Sequence, residues 1–213
     1  MSVKDFVQQR RDDFISMRRD FHMYPEPAWL EYRSAAKVAD RLISLGYDVA
    51  LGADVLDLDS RMGLPSDEVM KAGMDRAIKE GANPELVEKM GYGKTAIVAT
   101  MNFGGEGPVV AFRVDMDSND VIEAKEDSHV PTKEGFRSCH DKAMHACGHD
   151  AHMTMGLGLA EYLAAHKDEF KGTIKLIFQP AEEGVRGAKA MAEAGVVDDV
   201  DLMFGMHIGF NEN

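Results

Sequence analysis

Residues 144–152 read MHACGHDAH, which places three histidines, a cysteine and an aspartate within nine residues. Cys147 and His149 are two positions apart, so their side chains can converge in an extended loop. Thiolate, imidazole and carboxylate are the ligand types that transition metals prefer. A helix is predicted to start directly after the stretch, and its N-terminus would favour the thiolate form of Cys147. From this stretch alone, a polar loop with a buried free thiol and solvated histidines remains the alternative.

The residues around this stretch alternate between strand and helix patterns. This alternation predicts an α/β sheet with helices packed on its faces. The predicted strands are Val109–Val114, Thr173–Phe178 and Leu202–Met206, and the predicted helices are His152–His166 and Gly187–Ala194.

Four polar clusters lie where a predicted strand ends or a helix begins. In open α/β sheets the ligand crevice lies beyond the carboxyl ends of the strands, so one fold would bring all four clusters to one edge. Each cluster alone has an ordinary explanation: turn capping, a solvated helix start or a hydrogen-bonded structural histidine. Together they predict a site for metal-assisted hydrolysis, with one of two adjacent glutamates as general base. The clusters are Asp115 with Asp117, Cys147 with His149, Glu182 with Glu183, and His207.

The N-terminal half has helical and strand patterns but no visible catalytic cluster. A polar, methionine-bearing segment at about 54–93 is predicted to be a helical insertion at the surface, between two strands. Two β-rich segments then flank a Gly-Gly-Glu-Gly turn and are predicted to pair as a hairpin. The predicted elements are helices over Asp5–Met23, Glu31–Leu45, Ser66–Glu80 and Pro84–Met90, and strands over Tyr47–Leu51, Thr95–Met101 and Pro108–Val114.

Composition excludes several classes of partner. The 213 residues carry a formal net charge of −13, which argues against nucleic acid and anionic membrane surfaces as partners. The two cysteines, Cys139 and Cys147, make no disulfide framework. The N-terminus has no signal-peptide pattern, and no window approaches 18 consecutive apolar residues. We therefore expect a cytoplasmic protein that spans no membrane.

Four segments together resemble the M20 metallopeptidases, in the branch of N-acyl-amino-acid amidohydrolases (M20D). They are MHACGHDAH at 144–152, FQPAEEG at 178–184, MHIG at 206–209 and FHMYPE at 21–26. The resemblance implies a zinc-exopeptidase-like catalytic domain, with a three-layer mixed sheet and helices on both faces. It also implies hydrolysis of a small N-acyl amino acid of the aminobenzoyl-glutamate type.

The resemblance implies a role for each clustered residue. Two divalent metal ions, Zn²⁺ or Mn²⁺ with Co²⁺ as a further candidate, would be held in part by a bridging Cys147. Glu182 would be the general base that activates water. The other implied ligands are His149, Glu183 and His207, and the implied supporting residues are Asp115, Asp117, Asp150 and His152.

The resemblance also has departures and leaves rivals open. Ser118-Asn119-Asp120 stands where the branch usually has Ala-Leu-Pro. The family's dimerisation domain and its last catalytic segment, with a further histidine ligand, are expected to lie outside residues 1–213. A homodimer or pairing with a paralogous subunit is expected for the full-length enzyme. The rivals are a metal-independent hydrolase in which Cys147 is the nucleophile, paired with His149 or His145, and a metal-binding or subunit-association fragment without turnover.

Overall fold

The computed structural model describes residues 1–209, and a mixed five-stranded sheet lies at the centre of that part of the chain. The strand order is β1-β2-β4-β3-β5; β2 is antiparallel to β1 and β4, whereas β3 is parallel to β4 and β5. The strands are β1 Asp48–Leu51, β2 Ile97–Gly104, β3 Val109–Asp115, β4 Gly172–Gln179 and β5 Leu202–Gly205.

Helices cover the sheet and connect its strands. Among the described residues, no helix is both long and apolar enough to cross a membrane. The helices are α1 Val3–Gln9, α2 Arg11–Met23, α3 Tyr32–Ser44, α4 Asp67–Lys79, α5 Pro84–Lys89, α6 Val130–Lys133, α7 His149–Ala165 and α8 Ala188–Glu193, with short 3₁₀ helices at Gly52–Val55 and Lys167–Glu169.

The sheet has a hydrophobic core on each face. In β4, Leu176 and Phe178 belong to the larger core, which includes Leu42 of α3 and Leu157 of α7. The intervening Ile177 belongs to a second core with Trp29 and with Met191 of α8. Alternate residues of a strand point to opposite faces, so β4 is buried on both sides. The expected three-layer mixed sheet with helices on both faces is confirmed.

The predicted hairpin of the two β-rich segments is wrong. β4 lies between β2 and β3, pairing Phe178 with Ile97 on one side and Ile174 with Val110 on the other. The glycines of the turn accommodate this arrangement, because a Cβ on Gly107 would lie 2.9 Å from the backbone nitrogen at the start of β4. A continuously apolar strand such as β4 buries the most apolar surface in the centre of a sheet. The turn sequence indicates only how the chain bends locally, not which strands pair.

Two element boundaries and the burial of one segment also differ from the sequence prediction. The helix predicted over Asp5–Met23 is two helices that meet at Arg10. The helix predicted to begin at His152 begins three residues earlier, at His149, after Gly148 in the left-handed conformation (φ 85°). Helices α4 and α5 occur where helices are predicted, but they are not purely superficial, since their buried residues join the larger core.

Candidate metal centre

Three parallel strands bring the polar clusters to one edge of the sheet. β3 ends at Asp115, and β4 ends at Gln179, just before Glu182 and Glu183. β5 ends at Gly205, two residues before His207. Because β3, β4 and β5 run in the same direction, their carboxyl ends lie together, and the first turn of α7 meets them there.

Four candidate ligands converge at this edge. One ligand atom each from Cys147, His149 and Glu183 lies within 4.8 Å of the others. His207 joins them, with Nε2 3.3 Å from the Cys147 sulfur. Its Nδ1 lies 2.6 Å from the Ile208 carbonyl oxygen, which only accepts, so Nδ1 carries the proton and Nε2 presents a lone pair to the cluster.

The acidic groups surround the His149 ring, which is fully buried. Its Nε2 lies 3.6 Å from Asp115 Oδ1, 3.8 Å from Glu182 Oε2 and 3.9 Å from Glu183 Oε1, while Nδ1 lies 3.5 Å from Asp117 Oδ1. Neither ring nitrogen has a hydrogen-bond partner among the described residues, and Glu183 Oε1 is likewise buried and unpaired there. Burying such groups without partners costs free energy. A divalent cation between them would satisfy these atoms, and the sulfur, nitrogen and oxygen donors suit a transition metal.

Asp117 positions the two glutamates through their backbone. Its Oδ1 accepts from the Glu182 N–H at 2.9 Å, and its Oδ2 accepts from the Glu183 N–H at 2.9 Å. The turn that carries them is tight, with Ala181 in the left-handed region at φ 51°. Asp117 is therefore placed to hold both side chains toward His149 without occupying the ligand position itself.

Asp115 and His152 support the opposite side of the cluster. Asp115 Oδ1 lies 2.5 Å from His152 Nδ1, and Oδ2 accepts from Arg113 Nη1 at 2.7 Å. His152 Nε2 in turn accepts from the Ile208 N–H at 2.9 Å, which fixes a neutral ring with its proton on Nδ1. This chain of contacts orients the segment that carries His207.

Asp150 is turned away from the candidate ligands. Its Oδ2 accepts from Arg18 at 2.9 Å and lies 2.8 Å from His22 Nδ1, and His22 Nε2 lies 2.9 Å from Glu123 Oε1. Burial raises the pKa of Asp150, but the hydrogen bond to His22 and the nearby positive charges lower it overall. Asp150 thus joins the start of α7 to α2, and its support of His149 is indirect.

Sequence reasoning missed three residues that shape the site. Asn119 Oδ1 accepts from the Cys147 N–H at 3.0 Å, and its backbone pairs with Met144 in both directions. Glu31 Oε1 accepts from the Ala181 N–H at 2.8 Å, next to the glutamate pair. Glu26 accepts from two N–H groups at the start of α3. Asn119 lies in the segment that departs from the branch pattern, and Glu26 lies in the FHMYPE segment at 21–26, which are the available signals; Glu31 has none.

The expectation that the helix N-terminus makes Cys147 a ready thiolate is wrong for the protein without a cation. Burial, followed by the charges of Glu183 and Glu182, raises the pKa of the thiol to about 11. Burial lowers the pKa of His149, but Asp117 and Asp115 outweigh it and the net shift is upward. The excess of carboxylates thus favours bound positive charge at this edge, whether protons or a metal ion.

Comparison with known sequences finds hydrolases among the proteins that this chain resembles. The profile of peptidase family M20/M25/M40 matches residues 111–213. The chain is 49% identical to the indole-3-acetyl-aspartic acid hydrolase of Enterobacter agglomerans, over 97% of this chain and 48% of that protein. It is also 49% identical to one subunit of the p-aminobenzoyl-glutamate hydrolase of Escherichia coli K12, over 98% and 48% respectively. The chain spans about half the length of the curated relatives it matches.

Solved structures agree with the sequence comparison. The aminobenzoyl-glutamate utilization protein of Klebsiella pneumoniae superposes with a TM-score of 0.84 at 42% identity, covering 100% of this chain and 47% of the other. A Bacillus subtilis protein described as a dinuclear metal binding peptidase from the M20 family superposes with a TM-score of 0.69 at 28% identity, covering 98% and 44%. From its fold, its clustered ligand residues and these relatives, the part of the chain that carries the candidate metal centre, residues 111–213, matches peptidase family M20/M25/M40.

Proposed function

We propose that this chain carries the metal centre and general base of an amidohydrolase that cleaves an N-acyl amino acid. The observation that carries the proposal is the placement of Glu182 beside the candidate ligands. Its Oε2 lies 3.8 Å from His149 Nε2, and its side chain remains one-third exposed, so a water molecule and a substrate can reach it. Cys147, His149, Glu183 and His207 would hold the metal ions.

In this proposal the protein residues divide the work. Bound divalent metal would lower the pKa of water and polarise the substrate carbonyl. Glu182 accepts the proton of the attacking water and returns it to the amine nitrogen as the carbon–nitrogen bond breaks. Asp117 holds Glu182 and Glu183 by their N–H groups, so that the two carboxylates keep their separate tasks. We propose two ions, with Zn²⁺ favoured by the cysteine and histidine ligands and Mn²⁺ or Co²⁺ as alternatives.

A cleft next to Glu183 supports an acidic amino acid as the product. The cleft has a volume of about 460 Å³, and its lining includes Pro65, Asn119, Glu183 and Arg186. The Arg186 guanidinium forms no hydrogen bond or ion pair within residues 1–209 and packs along Gly184. The two relatives above are named for aspartate and glutamate conjugates. We propose that Arg186 pairs with the side-chain carboxylate of an N-acyl glutamate or aspartate, such as aminobenzoyl-glutamate.

The relatives bear on assembly, and the cysteines bear on location. One curated relative is named as a subunit of its hydrolase, and another is named as a homologue of that polypeptide. We therefore propose that the protein works as a homodimer or with a paralogous subunit. Both cysteines are free, which suits a reducing compartment, and we propose a cytoplasmic location.

The test of the proposed function is Glu182→Gln in the protein at its full natural length. We expect bound metal to be kept, because Glu182 is not a proposed ligand, and kcat for aminobenzoyl-glutamate to fall at least about 100-fold. Arg186→Met should instead raise KM for the glutamate conjugate while leaving a neutral N-acyl leucine nearly unaffected. Undiminished turnover in Glu182→Gln would remove Glu182 from the mechanism.

The rival in which Cys147 is the nucleophile makes a different prediction. A thiol with a pKa of about 11 is almost entirely protonated at neutral pH, and it therefore attacks slowly. Turnover that survives complete removal of metal by a chelator would support the nucleophile and overturn the metal proposal. A protein that binds its full complement of metal but hydrolyses no acyl-amino acid would support the other rival hypothesis, a metal-binding or subunit-association fragment.

A further inference from the structure

A second group of metal-type side chains lies outside the centre described above. Glu80 follows the last turn of α4, whereas Cys139 and His140 lie in the loop that leads to the 144–152 stretch. One ligand atom from each of the three lies within 4.8 Å of the others. None of these residues takes part in the proposed hydrolysis.

Both ring nitrogens of His140 face oxygen atoms that act as hydrogen-bond acceptors. His140 Nδ1 lies 2.7 Å from the Pro25 carbonyl oxygen, which can only accept, so Nδ1 carries a proton. Nε2 lies 2.8 Å from Glu80 Oε1, also an acceptor. Two acceptors approach this closely only if a proton or a cation lies between them. A histidine that donates Nδ1–H to a backbone carbonyl and turns Nε2 to a cation is the usual arrangement of a metal ligand.

The other two donors are available at the same point. Glu80 Oε2 is buried and has no hydrogen-bond partner among the described residues. Cys139 is a free cysteine whose backbone N–H is fixed to the Met23 carbonyl at 2.9 Å. The loop is further held by the His140 N–H, which donates to Ser138 Oγ at 3.1 Å. The positions of Cys139 and His140 are therefore set by hydrogen bonds of their backbone N–H groups that do not depend on a cation.

The charges around the group are of both signs, and a cation would be held by the carboxylate and the thiolate themselves. Burial and the Glu80 carboxylate raise the pKa of the Cys139 thiol, although Arg33 and Arg76 act in the opposite direction. A dication would offset both the carboxylate and a thiolate. A cleft of about 350 Å³, lined by His140, Arg76 and Asp141 among others, opens beside His140 and would let water reach the ion as a fourth ligand.

We propose that Glu80, Cys139 and His140 form a second divalent-metal site, for Zn²⁺ by its sulfur, nitrogen and oxygen donors, which clamps α4 to the loop before Cys147. The His140 Nε2 to Glu80 Oε1 separation would open from 2.8 Å to roughly 3.3 Å around a tetrahedral ion. On binding, the Cys139 thiol loses its proton to solvent, as does any proton held between His140 and Glu80. The site is structural and independent of the proposed hydrolysis.

The test uses a chain whose first centre has been removed by Cys147→Ser and His149→Ala. Native mass spectrometry with one equivalent of Zn²⁺ should show one bound ion, and Co²⁺ should give a thiolate charge-transfer absorption. Adding Cys139→Ser should abolish the absorption and weaken Zn²⁺ binding at least about 10-fold. His166→Asn is the matched control for a histidine change, because His166 belongs to neither group of candidate ligands and its Nδ1–H donates to the Tyr162 carbonyl.

A second measurement covers the case in which the double variant does not fold. In the unmodified chain, Zn²⁺ should protect Cys139 from a thiol reagent, and His140→Asn should remove that protection while His166→Asn keeps it. Zn²⁺ that leaves Cys139 fully reactive would overturn the proposal. So would a folded double variant whose metal binding does not depend on Cys139; the Glu80–His140 contact would then be an ordinary ion pair.

Discussion

At the scale of single residues, Asp117 has a role that only a carboxylate can fill. Both of its oxygens accept from backbone N–H groups, those of Glu182 and Glu183. In Asp117→Asn, an amide NH₂ would face one of these donors. We expect metal affinity to fall by about 10- to 100-fold while the fold persists, as for other residues that orient ligands. Competition with a chromophoric chelator measures the affinity.

The matched control for this change is Asp12→Asn, which removes an exposed carboxylate on α2. It should leave metal affinity unchanged. Equal affinities for Asp117→Asn and the unmodified chain would show that the glutamate pair keeps its position without Asp117.

Glu31 makes the stability of the protein depend on pH. Burial and the Asp117 charge raise the pKa of Glu31 to about 8, above its ordinary value of 4.5. Between these two pH values the folded state holds a proton on Glu31 that the unfolded state has lost. The contribution of this proton to the free energy of unfolding is complete below about pH 4.5 and is lost as the pH rises through about 8. We predict a decrease in the free energy of unfolding on the order of a few kcal/mol between pH 6 and pH 9. Urea unfolding at both pH values measures it.

Glu31→Gln isolates this contribution, because glutamine mimics the protonated acid. Its amide oxygen can accept from the Ala181 N–H, and the Thr95 hydroxyl, which donates to Glu31 Oε2 in the folded chain, can turn to accept from the amide NH₂. The variant should be more stable than the unmodified chain at pH 9 and similar to it at pH 6. Glu193→Gln, an exposed change in α8, should show no such difference. A parallel decline in Glu31→Gln and the unmodified chain would contradict this assignment.

The candidate ligands could be predicted from the sequence, but several residues that orient them could not. Cys147 and His149 lie in a compact motif at a helix start and Glu183 in one next to a strand end, so local patterns and topology together indicate convergence. Glu31 is 150 positions away from Ala181, and nothing local shows that its carboxylate reaches that N–H. Hydrogen bonds between distant segments depend on packing, which single-sequence patterns do not encode.

At the scale of secondary-structure elements, the turn between β4 and α8 depends on Gly187. A Cβ at this position would lie 1.9 Å from the Pro180 carbonyl oxygen, which is backbone and has little freedom to move. Gly187→Ala should therefore destabilise the chain by at least about 2 kcal/mol and displace Glu182 and Glu183. Denaturant unfolding and metal affinity would report the two effects.

Gly205→Ala serves as the control for this change, since its added Cβ would have no atom within 4 Å. It should change stability by no more than about 0.5 kcal/mol. A Gly187→Ala variant as stable as Gly205→Ala would mean that the turn has another accessible conformation.

The elements themselves could be predicted better than their pairing. Runs of apolar residues and helical spacing identify all five strands and most of the helices to within a few residues. The insertion of β4 between β2 and β3 could not be predicted, because β4 comes much later in the chain than the turn that suggested a hairpin. The start of α7 at His149 depends on Gly148, whose left-handed conformation also has no signal in hydrophobic spacing.

At the scale of the whole molecule, β5 is an edge strand of the described sheet, and its exposed side chains are apolar. Leu202, Met203 and Phe204 are each about half exposed. Exposed apolar edge strands tend to pair with other chains. We predict that the 213-residue chain associates reversibly as its concentration rises, and that Met203→Lys shifts it toward the monomer. Sedimentation velocity over a concentration series measures this.

Val69→Lys is the control, because Val69 is similarly exposed but lies on α4, away from the edge. It should leave association unchanged. A chain that stays monomeric throughout the series, or one that responds equally to both lysines, would show that β5 is not the contact.

The most direct test of the central claim is the metal content of the chain after dialysis against Zn²⁺. Cys139→Ser should be the common background, so that the second proposed site does not contribute. We predict tightly bound metal in this background and its loss when Cys147→Ala and His149→Ala are added, with the fold retained by circular dichroism. Equal metal content in the two folded proteins would contradict the assignment of Cys147 and His149 as ligands.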